Sequence, residues 1–335
     1  MQAVVQGKYG APQQVLKTAI VDRPKAGEGD VLVRVAATSV NTPDLIAVTG
    51  VPKILRVKTG LRRPGTAIRG SDVAGVIEAV GRSVTDLRVG DEVFGSVWDS
   101  EPVQRYGTFA QFGVVPASQV VVKPAGVTFA EAAASVMSGV TALNAIRDVG
   151  KVTRGTRVLV NGASGGVGTM AVQIASALGG EVTGVCSSRN VELVRSLGAD
   201  HVIDYTTSDY TQSSDRFDVI LDNVMNHPPA VTARVLAPGG VFIPNSVGTS
   251  GGLFGGLPRA ARAAMLGRRG VTRVGVATCV VNHDNLAALA ALLQSREVKV
   301  VIDQTYPLAD AASAVAHMLG HHTRGKVAIT VATST

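Results

Sequence analysis

Arg157-Val-Leu-Val-Asn-Gly-Ala-Ser-Gly-Gly-Val-Gly-Thr-Met-Ala-Val-Gln-Ile-Ala175 decides the fold. A short apolar run breaks into glycines and then resumes with helical spacing, which is the pattern of a strand, a turn and a helix. Gly165, Gly166 and Gly168 remove Cβ atoms where the backbone has to turn sharply, approach a phosphate and let the helix pack on a sheet. The N–H groups of the loop Ser164-Gly165-Gly166-Val167 then open the helix, where its dipole favours negative charge. The first glycine of a G-x-G-x-x-G fingerprint is here Ala163, and a glycine-rich loop by itself is often only a tight turn. The strand before it and the amphipathic helix from Gly166 to Leu178 after it select the dinucleotide-binding reading.

The next strand, Glu181-Val-Thr-Gly-Val-Cys186, runs into Ser187-Ser188-Arg189, where a fold that recognises a free ribose 2′-hydroxyl would carry an acid. Two hydroxyls and a guanidinium suit a 2′-phosphate instead, so NADPH is expected over NADH. The other reading of Ser188 and Arg189 is that they cap and solvate a helix from Val191 to Leu197.

A chain of 335 residues suits two domains, and 46% hydrophobic with 17% charged residues describes a soluble globular protein. No run approaches the roughly 18 apolar residues of a membrane span. Met1-Gln-Ala-Val-Val enters a strand pattern at once, without a signal or transit peptide, so a cytoplasmic protein with no membrane partner is expected. Cys186 and Cys279 lie in apolar runs and read as buried free thiols. The formal charge of +7 is spread along the chain. A basic mouth for an anionic cofactor explains it as well as nucleic acid does, so nucleic-acid binding is set aside as the main function.

Up to about residue 124 the chain reads as short β segments separated by Gly and Pro. After Lys123-Pro-Ala-Gly126 the period becomes helical, with Phe129 to Ala145 expected as helix broken at Ser138-Gly-Val-Thr141. Strand and helix then alternate through six strands: Arg157 to Asn161, Glu181 to Cys186, His201 to Asp204, Asp218 to Asp222, Val241 to Pro244 and Val274 to Val281. This is an α/β chain with a doubly wound parallel sheet. Residues at the carboxyl ends of those strands, Ser187, Tyr205, Asn223 with Val224, Ser246 with Val247, and Val281, are expected to line one crevice. The domains are expected at 1–124 with 298–335, and at 125–297.

Asn41-Thr-Pro-Asp44, Gly70-Ser-Asp72 and Val89-Gly-Asp-Glu-Val93 resemble the medium-chain dehydrogenase/reductase superfamily. Its zinc-dependent members carry a cysteine at the position of Asn41 and a His-Glu pair at Ser71-Asp72, and no cysteine lies between Gly90 and Gly126 for a structural zinc. The chain is therefore similar to the zinc-free, NADPH-dependent quinone oxidoreductase-like branch, including the reticulon-interacting oxidoreductase group. The resemblance implies a GroES-like β-barrel catalytic domain beside a Rossmann domain. It also implies hydride transfer to a quinone or an α,β-unsaturated carbonyl, no metal, and a homodimer formed along Val274 to Val281.

By the same resemblance Asn41 and Thr141 orient the acceptor carbonyl or the nicotinamide amide, although Asp44 beside Asn41 also reads as a helix cap. Tyr205 would pack by the 2′-phosphoribose, Asn223-Val224 would meet the adenosine side, and His322, Thr323 and Arg324 would lend a basic group to the cofactor. The glycine-rich turn and cationic helix from Gly251 to Arg269 would overhang the substrate cleft, with glycines that permit lid motion. The alternative is an NADPH-regulated binding module that meets a protein or RNA through the cationic stretches Lys53 to Arg69 and Arg259 to Arg273.

Overall fold

The computed structural model describes residues 1–65, 67–98, 107–246, 254–268, 270, 272–320 and 323–331. Contacts divide the chain into two compact units: residues 1–140 with 280–295 and 300–335, and residues 141–279 with 296–299. The barrel unit thus takes more of the chain than periodicity suggests. Helix His283–Gln294 packs on strand Val120–Val122, and its Leu289 side chain fills the space that a Cβ on Gly139 would enter at 2.7 Å. That contact also corrects the expected break at Ser138 to Thr141. Helix Phe129–Leu143 is continuous, and Gly139 serves close packing rather than a turn. The helical run Phe129–Val149 has the length and composition to cross a membrane, but 78% of its apolar window is buried within the fold.

In the barrel unit the alternating sequence of Asp30–Val40 makes it the central strand. The sheet runs in the order Ile302–Pro307, Lys326–Thr330, Asp30–Val40, Asp72–Val80, Glu92–Ser96, Val120–Val122, with Phe112–Pro116 also paired to Asp30–Val40. Bulges between Leu32 and Val33 and between Val35 and Ala37 curl it, and Val31, Val33, Val35, Val73, Ile77, Val93 and Ile329 fill the interior. The pairing that matters most for the site is Val327 opposite Val40. It brings Lys326 to the residue before Asn41 across most of the chain.

In the second unit six strands form an all-parallel sheet in the order His201–Asp204, Glu181–Cys186, Arg157–Asn161, Phe217–Asp222, Leu236–Pro244, Arg273–Val274. Chain order reverses between Arg157–Asn161 and Phe217–Asp222, which creates the switch point beside which such sheets bind ligands. Val158, Leu159 and Val160 are fully buried, as a strand covered on both faces requires. Each of these side chains contributes roughly 1.5–3 kcal/mol by leaving water.

The sixth strand departs from expectation. Its ladder covers only Arg273–Val274, with one further bond from the Gly275 N–H to the Phe242 carbonyl at 2.8 Å. Val281 therefore does not end a sheet strand, and by contacts it falls in the barrel unit.

Candidate active site

The glycine loop is built as its sequence implies. Gly162 takes a φ of +76°, and a Cβ on Gly168 would lie 2.1 Å from the Gly162 carbonyl oxygen, so both positions exclude side chains for internal reasons. Gly165 differs. Its φ of −84° suits any residue, and the nearest atom to a Cβ there is 3.5 Å away. Helix Gly166–Ala177 starts at Gly165 with no side chain capping its first N–H groups. An open face above uncapped N–H groups is a cradle for an anionic group, and a diphosphate fits it.

Asn190 organises the rim, and sequence reasoning overlooked it. Its Nδ2 donates to Ser164 Oγ at 3.0 Å and to Ser187 Oγ at 3.2 Å, which joins two of the expected residues across the loop. Asn190 is 4% exposed, and its Oδ1 is buried without a partner. The available signal was its place just after Ser187-Ser188-Arg189, at the first turn of helix Val191–Ser196.

The expected hydroxyl donors work differently from the sequence reading. Thr206 Oγ1 donates to Asp204 Oδ1 at 2.7 Å, and Ser188 Oγ lies 2.9 Å from Thr206 Oγ1. Hydrogen bonds from Ser188 and Thr206 hold the Asp204 carboxyl below its ordinary pKa. With Asp204 ionised, the Ser188 proton points along this chain, so Ser188 presents lone pairs outward. Arg189 is exposed beside it, and Tyr205, 58% exposed, stands on the neighbouring strand end.

At the switch point, buried Asp222 accepts from Met225 N at 2.8 Å, Val224 N at 3.1 Å and Asn161 Nδ2 at 2.8 Å. These bonds shape the turn that carries Asn223 and Val224. Asn223 Nδ2 donates to the Asn161 carbonyl at 3.1 Å, and its Oδ1 accepts from Asn245 beside Ser246. Thus Ser164 with Ser187, Ser188 with the Tyr205 strand end, and Asn223 with the Ser246 strand end are brought together within the doubly wound unit. Val247 and His322 lie outside the described residues.

The barrel unit holds a buried polar cluster. Asn41 precedes helix Thr42–Thr49, and its N–H donates to Asp44 Oδ2 at 2.9 Å, the capping relation that its sequence allowed. Its side chain is engaged within the barrel. Nδ2 donates to Asp72 Oδ2 at 2.8 Å, Oδ1 accepts from Lys326 Nζ, and the residue is 2% exposed. The Asn41 amide thus serves the barrel's own charges.

Lys326 also donates to the Val40 carbonyl at 3.0 Å, and Ser39 Oγ donates to Asp72 at 2.8 Å. Burial pushes the Asp44 carboxyl up to about 7, against the pull of the Asn41 N–H, and raises that of Asp72 too. Arg69, 7% exposed, has Nε and Nη2 buried without partners. Thr141 is 8% exposed within its helix; in the barrel unit Thr323 has a buried, unpartnered hydroxyl, and Arg324 is exposed.

A barrel unit with this buried cluster and a doubly wound unit with a phosphate cradle define a nucleotide-dependent oxidoreductase. The family model of the alcohol dehydrogenase GroES-like domain matches residues 27–125, and that of the zinc-binding dehydrogenases matches 197–329. The mouse mitochondrial NAD(P)H oxidoreductase RTN4IP1 is 32% identical, over 99% of this chain and 89% of its own length. The Arabidopsis thaliana chloroplastic NADPH-dependent alkenal/one oxidoreductase is 30% identical, over 98% of this chain and 79% of its own. The solved quinone oxidoreductase of Coxiella burnetii superposes with a TM-score of 0.84 at 24% identity, over 99% of each chain. The chain belongs to the medium-chain dehydrogenase/reductase superfamily, among its quinone oxidoreductase-like enzymes.

Proposed function

We propose that this enzyme uses NADPH to reduce a quinone or an α,β-unsaturated carbonyl compound, with no zinc ion at its site. The observation that carries the reading is the open face at Gly165 above the uncapped start of helix Gly166–Ala177, with Ser187-Ser188-Arg189 rather than an acid following the second strand. The relatives' names support the same chemistry, since they include an NADPH-dependent alkenal/one oxidoreductase and a quinone oxidoreductase.

NADPH supplies the hydride. The N–H groups of Gly166 and Val167 would hold its diphosphate, the Arg189 guanidinium its 2′-phosphate, and the Asn223 turn its adenosine side. Ser164 and Ser187, held by Asn190, keep the rim rigid, so little ordering remains to be done on binding. A conjugated acceptor spreads the developing negative charge over its own carbonyl, so a few hydrogen bonds can replace a Lewis acid. An unactivated alcohol has no such help.

Zinc independence is supported by the donor set. Zinc favours thiolate, imidazole and carboxylate ligands, and of the corresponding positions Asn41 offers an amide and Ser71 a hydroxyl, which leaves the Asp72 carboxylate as the one group of a favoured type. The Lys326 ammonium already bonds Asn41, and it lowers the cost of ionising Asp72. Steady oxidation of NADPH with a panel of quinones and enones tests the proposal. Tight NADPH binding without turnover of any acceptor would favour a binding module instead.

A further inference from the structure

Residues 223–283 contain six arginines and no Asp, Glu or Lys. This acid-free stretch carries helix Leu257–Arg268, of whose side chains only Ala263 is buried. The helix packs through one side. Ala263 joins the core beneath it, and a Cβ on Gly267 would come within 3.1 Å of the Val274 side chain. Arg259 Nη1 donates to the Met225 carbonyl at 2.6 Å, which ties the helix to the turn that carries Asn223 and Val224. The other side is largely exposed among the described residues. Leu257, Ala261 and Met265 follow one another at i, i+4 and i+8 along it, with Met265 46% exposed and Phe254, in the turn before the helix, 53% exposed. Arg262 stands beside this stripe and Arg268 at its end, both exposed.

We propose that helix Leu257–Arg268 with Phe254 is a docking surface for an anionic lipid bilayer, on which the helix lies without spanning. Aliphatic side chains flanked by arginines match the boundary between acyl chains and headgroups. Leu257, Met265 and Phe254 enter the apolar layer, while the long stems of Arg262 and Arg268 let their guanidinium groups reach lipid phosphates. Charge selects this occupant over a second copy, because a two-fold contact through the patch would set Arg262 and Arg268 against their counterparts. Chemistry selects it over nucleic acid, because the stripe between the arginines, Leu257, Ala261 and Met265, is aliphatic and offers the bases neither a hydrogen bond nor an aromatic face, whereas acyl chains match it. The inference reverses the expectation of no membrane partner, which came from counting apolar residues for a span.

Flotation of the full chain with vesicles of phosphatidylcholine alone, or mixed with phosphatidylglycerol, tests it. At least about tenfold more protein should float with the anionic vesicles, and the excess should shrink as salt is raised. Arg262→Glu with Arg268→Glu should abolish the excess while NADPH binding and the thermal unfolding temperature stay unchanged. Leu257→Ser with Met265→Ser should abolish the fraction that survives high salt. Equal flotation with both vesicle types, none with either, or binding unaltered by the arginine pair would overturn the proposal. So would RNA or acidic-peptide binding that depends on those arginines in a protein that ignores vesicles.

Discussion

Asn190 donates from Nδ2 to Ser164 Oγ at 3.0 Å, fastening the turn after the second strand of the parallel sheet to the glycine loop that follows the first. The same amide reaches Ser187, so one side chain sets the width of the phosphate cradle. Replacing it by Ala removes two hydrogen bonds at the rim without touching the sheet. Asn190→Ala should weaken NADPH by about tenfold, the equivalent of about 1.4 kcal/mol, with little change in thermal unfolding. Calorimetric titration gives the affinity; an unchanged value would show that the rim does not depend on this latch.

Two glycines four residues or fewer from Ser164 should fail in opposite ways. Gly168→Ala drives a methyl into the Gly162 carbonyl and the Ala163 backbone, which cannot yield cheaply, so it should cost more than about 2 kcal/mol of stability. Gly165→Ala meets only ordinary contacts and should change stability by less than about 1 kcal/mol. It should nevertheless cost at least about tenfold in NADPH affinity, because its methyl occupies the approach to the helix N–H groups. Urea unfolding paired with cofactor titration separates the two. Equal behaviour of the two variants would mean that Gly165 faces no ligand.

Arg189→Ala is expected to weaken NADPH far more than NADH, by roughly tenfold or greater in the ratio, since the guanidinium would meet only the 2′-phosphate. The serines beside it should matter less, because the Ser188 proton runs toward Thr206 and Asp204. Kinetic constants with both cofactors measure the ratio, and an equal loss with each would remove Arg189 from the site.

Asp44 gives the fold a pH dependence of definite sign. Its folded-state pKa is raised from 3.8 to about 7 by burial, so the native state keeps a proton that the unfolded chain releases. Stability should therefore fall as pH rises from about 4 to about 7 and level off above, by an amount of the order of 4 kcal/mol. Asp72, shifted in the same direction by its own burial, adds slope of the same sign. Asp44→Asn should flatten the profile in chemical denaturation measured across that range. A slope unchanged by the substitution would place the titration elsewhere.

The parallel sheet was legible because it is written locally: buried apolar runs, glycine turns and helical periods recur in order, and Arg157–Asn161, Glu181–Cys186 and His201–Asp204 fall where periodicity put them. The sixth strand misled because Val274 to Val281 is β-rich along its whole length, while a strand needs a neighbour and the ladder reaches only Val274. Gly139 looked like a break because its reason, the Leu289 side chain, lies 150 residues further on.

The barrel cluster was hidden for the same cause. Asn41 could be picked out by resemblance, but its role depends on Lys326, which only the pairing of Val327 with Val40 brings near. Asn190 went unnoticed because an Asn after two serines and an arginine is common turn chemistry, and its partner Ser164 sits on another loop.

The central claim, reduction of a conjugated acceptor by NADPH without zinc, is tested most directly by elemental analysis of the protein on the sample whose NADPH:quinone turnover is being recorded. The account predicts steady turnover from protein with far less than one metal ion per chain, undiminished by a strong chelator. Turnover that tracks zinc content, is abolished by chelation and returns on adding zinc would contradict it.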